Sequence, residues 1–381
     1  MLKVIDNEFN FIGAVDDFIS FIPEKSYYGI GKFELHVDYS IENIEMLVEE
    51  NIIFQDIDNA YIILHVENTS TDGKMVIKGL QLKQYLSRRI TKPVGVAYDR
   101  KNTNAETIMK SYVASYANIP SLTIADDLGR GGVFVYQTRY KPLDEELSKL
   151  GKVSGLGWNI SLDLENKQFV FDIIEGLDRT AGQSVNSNAI FSADFDNVTE
   201  QSFMQSKMSY ANVAIVAGRG EGINRDIDII GDATGFDRYE VFIDARDIED
   251  ISDLADRGLQ ELSAREKVLS FESDILTDSN LFYGVDFNIG DLVTIQNKKW
   301  NITLNTRIDS IKEIYEANGF KLEATFGNAV PSFLDIIKKK LDTPIAESSG
   351  TSGALINLDG GRPDTLYGDL PPIIGGGVVG S

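Results

Sequence analysis

The sequence predicts a mainly β protein with α+β insertions. Two observations predict it: runs in which apolar residues recur at every second position, and a pair of similar β-modules at opposite ends of the chain. Period-two alternation puts successive side chains on opposite faces of a strand. One apolar face per strand fits antiparallel sheets or small barrels better than parallel sheets buried on both sides.

Taken in order, Phe33, Leu35 and Val37 alternate with Glu34, His36 and Asp38. Ile62, Leu64 and Val66 alternate with Tyr61, Ile63 and His65. The same reading gives strands at Ile160–Leu164, at Trp300–Asn305 and at Phe320–Phe326. Helices are fewer. Ala105, Ile108, Met109, Tyr112, Val113 and Tyr116 form a helical stripe, with Asn104 as N-cap and Pro120 beyond the end. A second helix runs from Leu143 to Leu150, and a third carries Leu254, Ala255, Leu259 and Leu262. Near the C-terminus, Ser332 and Asp335 read as a capping pair before Phe333, Ile336, Ile337 and Leu341.

The two modules are residues 51–80 and 290–327. Each reads as a short strand, a polar turn, a longer strand, a turn at Asp72-Gly73 or Asn318-Gly319, and a return strand. A duplicated barrel with an inserted middle is one reading; two unrelated hairpins of common form is the other. On the first, residues 1–98 make one β-barrel domain, 99–198 a middle α+β domain, and 199–345 a second β-barrel domain with a helical insertion. Residues 346–381 follow as a Gly- and Pro-rich linker and peptide.

Composition excludes several functions. The 381 residues carry 36 Lys and Arg against 59 Asp and Glu, a formal charge of −23. A broad phosphate-neutralising face for duplex DNA needs the opposite balance. Cysteine is absent, which excludes disulfides, thiolate metal sites and a cysteine nucleophile. The only histidines, His36 and His65, sit on strand positions opposite the apolar face and read as solvated. No run reaches the ~18–20 apolar residues of a membrane span. The start, MLKVIDNEFN, lacks the basic and apolar regions of a secretion signal, so a soluble acidic protein is expected.

Candidate motifs are weak. Gly218, Gly220 and Gly222 follow an apolar run, but the spacing is not that of a dinucleotide loop and no helical stripe follows, so a glycine-rich hairpin is expected. Asp244, Asp247, Glu249, Asp250 and Asp253 gather at a helix start, where carboxylates complement the dipole. Arg88-Arg89 and Lys338-Lys339-Lys340 are the densest cations and read as solvated. No cofactor or metal is implied.

Several segments read together resemble a known family. They include SRRI at 87–90, VFVYQTRYKPLDEELSKL at 133–150, GLGWNISLDLENKQFVFDIIEGLDRT at 155–180, DRYEVFIDARDI at 237–248 and YGVDFNIGDLVTI at 283–295. In this order they resemble the tail-tip hub proteins of siphophages. Those form the N-terminal part of tail-associated lysins and are related to the baseplate hub of contractile-tailed phages. The resemblance spans about residues 1–330. It implies a structural, non-enzymatic protein with two tube-like β-barrel modules and intermediate α/β domains. Three copies would form a ring that closes the tail tube at the virion's tail tip. The ring would match a sixfold tail with threefold symmetry, dock on the distal tail ring protein and the tape-measure protein, and let DNA pass without specific binding.

On this reading the acidic charge lines a channel that DNA slides through; ordinary solubility charge is the plainer alternative. The C-terminal peptide, with Asp359, Gly360, Gly361, Tyr367, Pro371 and Pro372, is expected either to attach a receptor-binding protein or to be an unstructured end. Two other functions stay open: a cell-wall hydrolase using paired carboxylates, and a glycan-binding host adhesin.

Overall fold

A computed structural model describes residues 1–69, 73–246, 248, 251 and 253–327. Strands β1 (Leu2–Ile5), β2 (Phe11–Val15), β3 (Ser20–Ser26) and β4 (Lys32–Asp38) precede helix α1 (Ile41–Met46). Strands β5 (Ile52–Asp56), β6 (Asn59–Thr69) and β7 (Lys74–Gln81) complete a first module, followed by the short helix α2 (Gln84–Ser87). The middle holds β8 (Asp99–Asn104), α3 (Ala105–Tyr116), β9 (Leu122–Ile124), β10 (Val133–Thr138), α4 (Leu143–Ser154), β11 (Gly157–Asp163) and β12 (Gln168–Ile174). Next come β13 (Ile190–Ser192), β14 (Val198–Ser206), β15 (Val213–Ala217), β16 (Ile227–Ile230), β17 (Glu240–Asp244) and α5 (Asp253–Ser263). The described chain ends with β18 (Val268–Ile275), β19 (Leu292–Asn297), β20 (Ile302–Glu316) and β21 (Gly319–Gly327).

Most strands belong to one large sheet that is antiparallel throughout its main path, in the order β14-β18-β21-β20-β3-β4-β7-β6-β5-β1-β2. The first and last parts of the chain therefore meet at the β20–β3 pair. The mainly β class with helical insertions stands as the sequence predicts. Smaller sheets hold β8 with β10, β9 with β11 and β12, and β16-β15-β17.

The helices follow from local sequence. Helix α4 starts with Asp144, Glu145 and Glu146, ends with Lys152, and stops at Gly155 with φ +75°. It runs four residues past the predicted end because Gly151 and Ser154 still fit the turn before that glycine. Helix α3 buries Ile108, Met109, Tyr112 and Val113, the predicted stripe. Asn104 stands at its N-cap, but its side chain accepts no backbone N–H of the first turn. Helix α5 buries Leu254, whereas Leu259, expected inward, is exposed, and Gly258 takes the close contact instead.

Strand β6 departs from its predicted alternation. Ala60, Tyr61, Ile62 and Ile63 are all buried. Ala60 and Ile62 face a core shared with α3, α4 and Trp158, while Tyr61 and Ile63 face a second core with Phe33 and Leu35. The strand is sandwiched there, so both faces are dry. Between Ile63 and His65 the register with β7 shifts by a bulge, and His65, Glu67 and Asn68 emerge into solvent. Trp300, read as a strand residue, lies in the turn before β20 and is exposed. The turn between β20 and β21 is Ala317-Asn318, with Gly319 opening β21 at φ +128°.

The middle is fastened to the first module by buried polar contacts. The indole of Trp158 donates to the Tyr28 carbonyl at 2.8 Å. Lys83, buried on every side, donates to the carbonyls of Ser26 and Gly29 at 2.6 and 3.0 Å, and its ammonium lies 4.8 Å from the Trp158 ring centre. Burial pulls its pKa down to about 7. Within the middle, Glu106 has no exposed side chain and binds Lys110 at 2.8 Å and Arg130 at 2.9 Å. Burial alone would raise this carboxyl; the Arg130 and Lys110 hydrogen bonds outweigh it and hold the group far below the usual range.

Candidate functional site

The two sequence modules superpose as hydrogen-bond diagrams. In the first, the Ile63 N–H donates to the Asn51 carbonyl and the Glu50 N–H to the Ile63 carbonyl. In the second, the Ile308 N–H donates to the Asp291 carbonyl and the Gly290 N–H to the Ile308 carbonyl. Glu50 and Gly290 both have left-handed backbone, φ +69° and +88°. A bulge follows in both long strands, at Ile63/His65 and at Ile308/Ser310. One rung of the sheet reads Pro23–Phe33–Gly79–Ile63 in the first module and Phe203–Phe271–Phe326–Ile308 in the second. Thus β3, β4, β7, β6 and β5 correspond to β14, β18, β21, β20 and β19. The correspondence favours duplication over two hairpins that merely look alike.

The modules join head to tail. Strand β20 pairs with β3 from Ser310 opposite Ser26 to Glu316 opposite Ser20. On the core side of this junction Lys25 and Glu313 form a buried ion pair at 2.7 Å, and Lys25 also donates to the Tyr283 hydroxyl at 3.2 Å. Burial works against the Lys25 ammonium, but Tyr283 and Glu313 overcome it and raise its pKa.

The opposite, solvent face of this run of strands is polar and changes character along its length. A shallow groove of about 350 Å³ over the second module gathers Glu24, Glu200, Glu272, Asp274 and Glu323 around Lys312. Burial, reinforced by the carboxylates of Glu323 and Glu200, lifts the Asp274 pKa above its ordinary value. A neighbouring groove of about 520 Å³ over the first module is lined by Lys32, Lys78, His65 and Glu34 and also reaches Glu24 and Lys312. There Glu34 binds Lys78 at 2.9 Å and His36 at 2.6 Å; the His36 hydrogen bond is the main influence holding its pKa down. The histidines are strand residues on the polar face, each beside a glutamate. Among the described residues no cluster of three or more Asp, Glu or His is placed to hold a metal ion.

A second surface is apolar. The sheet β16-β15-β17 packs α5 through Ala214, Val216, Ile243 and Leu254. Its other face leaves Ile227, Ile229 and Phe242 exposed, with Ile223 and Phe236 fully exposed in the adjoining loops. Such a patch marks an interaction surface. The loop from Gly218 to Gly222 is here the expected hairpin: β16 returns antiparallel on β15.

The remaining candidates are partnered or lie outside the described residues. Arg88 makes a two-pronged contact with Glu50 at 2.8 and 2.9 Å, and Arg89 donates to the Ala117 carbonyl at the end of α3. Both were expected to be solvated. Asp244 binds Arg225 and Arg246 at 2.6 Å, and Asp253 binds Arg100 at 2.8 Å. Asp72, Asp247, Glu249, Asp250, the helix after Ser332, Lys338 to Lys340, and Asp359, Gly360, Gly361, Tyr367, Pro371 and Pro372 lie outside the described residues. The β20–β3 junction and the match between β14 and β3 were missed from sequence; the phenylalanine pair Phe33 and Phe271 was the available signal.

The sequence pattern of siphovirus ReqiPepy6 Gp37-like proteins matches residues 1–328. The chain belongs to this family. Among curated protein sequences none matches. Among solved structures, the Gp37-like chain is similar to the 43 kDa tail protein of prophage MuSo2 from Shewanella oneidensis: TM-score 0.55 at 13% identity, over 85% of this chain and 97% of that one. A tail protein from Neisseria meningitidis gives 0.52 at 11% identity over 86% and 96%. Prophage tail protein gp18 from Listeria monocytogenes gives 0.50 at 14% over 89% and 98%. At these identities the likeness establishes a shared fold, that of phage tail proteins. The chain shares its fold with these tail proteins, and no helix among its described residues is long and apolar enough to cross a membrane.

Proposed function

We propose that the chain is a structural hub at the tip of a siphophage tail. Three copies form a ring. Each contributes a first module within 1–98 and a second within 199–345, joined head to tail through β3 and β20, with the middle domain at 99–198 between them in sequence. Six matching modules then face a sixfold tail tube. The observation that carries this reading is the residue-by-residue match of the two modules and their head-to-tail joint in one sheet.

In this role the protein performs no catalysis and needs no cofactor. It docks on the distal tail ring protein and the tape-measure protein, closes the tube, and opens for DNA, which passes without specific binding. An excess of carboxylates suits a conduit that must not retain phosphate. The segment 346–381, with Tyr367 and the Pro371-Pro372 step, attaches a receptor-binding protein. Made in the host cytoplasm, the chain acts in the virion.

The mass of the purified full chain, alone and mixed with the neighbouring tail-ring protein, tests the reading. A trimer in either sample is expected; a monomer in both overturns it.

A further inference from the structure

We propose that Lys83 is an acid-sensitive latch at the point where the two modules and the middle domain meet: on acidification its side chain takes up a proton and loosens the loop at residues 27–31 from all three. This is a property of the folded single chain and does not depend on the ring proposed above.

Three parts of the molecule converge on that loop, which links β3 to β4. From the middle domain, the Trp158 indole and the Ser148 hydroxyl both donate to the Tyr28 carbonyl, at 2.8 and 2.7 Å. From the second module, the Asp309 carbonyl accepts from the Tyr27 N–H at 2.8 Å. From the first, the Gln81 side-chain oxygen accepts from the Gly31 N–H at 2.7 Å. Lys83 is 1% exposed and donates to the carbonyls of Ser26, Gly29 and Tyr27 at 2.6, 3.0 and 3.4 Å.

The site suits an amine better than an ammonium. A neutral amine has two N–H donors, which the two shorter contacts satisfy. An ammonium has three, and it brings a full charge where water does not reach. The third carbonyl is long at 3.4 Å, so the Trp158 ring at 4.8 Å and the Asp309 carboxylate are the main support for the charge. The loop adds Tyr27 and Tyr28, whose hydroxyls burial pushes up, that of Tyr28 to about 12, so both stay neutral near neutral pH. Strand β20 adds Arg307, stacked on the Tyr27 ring, beside Asp309. Strand β11 and helix α4 contribute Trp158 and Ser148, which do not titrate.

Burial holds the Lys83 group down to about 7, against an ordinary value of 10.5. A loosened loop that admits water restores the ordinary value, so it binds the proton between about 7 and 10.5, where the closed loop does not. The closed loop therefore loses stability as pH falls through that window.

The chain holds two tryptophans, so Trp300→Phe leaves Trp158 as the reporter. The full chain with that change is compared with the same chain carrying Lys83→Met and, separately, Lys83→Gln, which keeps two donors without the charge. Trp158 emission and hydrogen exchange of residues 26–31, corrected for the intrinsic effect of pH, are followed from about pH 9 to about pH 5.5. His36 and His65 are present in every sample, so their titration cancels. The expected result is one emission step near neutral pH, with protection of the loop falling about tenfold between about pH 8 and about pH 6. Both changes vanish in the Lys83 variants. A step that survives in the variants, no step at all, or a step without loss of protection overturns the proposal. Should neither variant fold, loss or retention of protection in the parent chain decides.

Discussion

The first and second modules share strand order, bulge position and a left-handed residue before the short strand, yet they carry opposite surface chemistry. The first shows Lys32, Lys78 and His65 around Glu34, the second Glu200, Glu272, Asp274 and Glu323 around Lys312. They also solve the left-handed position differently. The first uses Glu50, exposed enough to bind Arg88, and the second uses Gly290 packed under the Tyr27 ring. The comparison teaches that the hydrogen-bond frame is what the two halves have in common, while side chains on that frame are free to diverge wherever water reaches them.

Substitutions at equivalent positions break this comparison most sharply. A Cβ on Gly290 would lie 2.2 Å from the Tyr27 ring, in a backbone conformation that L-residues disfavour. Gly290→Ala should lower stability by about 3 kcal/mol or more. Glu50→Gly should stay within about 1 kcal/mol, since relief of the left-handed backbone offsets the loss of an exposed ion pair. Urea unfolding of both variants checks the contrast, and equal effects would refute it.

The next residues come second. Asp291 is buried and accepts from the Leu177 N–H at 2.7 Å, the Arg179 guanidinium at 2.9 Å and the Asn288 N–H at 2.9 Å. Its counterpart Asn51 makes one side-chain bond, to the Met46 carbonyl at 2.9 Å. Asp291→Asn should cost about 2–4 kcal/mol and Asn51→Ala about 1 kcal/mol, measured by the same unfolding curves.

The smallest expected effect concerns pH. Asp274 holds its proton more tightly folded than unfolded, so the folded state binds more protons in the window just above the ordinary value of 3.8. Stability contributed by this group therefore falls as pH rises through that window. Asp274→Asn should flatten the fall and raise the melting temperature slightly near neutral pH. Thermal melts from about pH 4 to pH 7 would show it; a lower melting temperature in the variant would count against crowding of the acidic groove.

Much of this was legible in the sequence. Alternation placed Phe33, Leu35 and Val37 in a core, the stripe from Ala105 to Tyr116 gave α3, and the likeness of residues 51–80 to 290–327 marked the modules. What escaped was set by contacts distant in the chain. Ile63 reads as outward because alternation assumes one wet face, and only a second packed layer makes both faces dry. The junction of β3 with β20 leaves no mark in either strand, since an edge pairs through backbone groups that every residue shares. Leu259 satisfies the helical stripe but stays exposed, whereas Gly258 packs close to Ile230 because it lacks a side chain.

The β20–β3 joint links strands about 290 residues apart in the chain. At ribosomal speeds of ~5–20 residues per second, β3 leaves the ribosome about 15–60 s before its partner exists. Through that interval the nascent first half carries an uncovered sticky border. Ser310 to Glu316 of a neighbouring polypeptide offers the same backbone groups as its own, so exchange between chains competes with correct closure only where nascent chains crowd together.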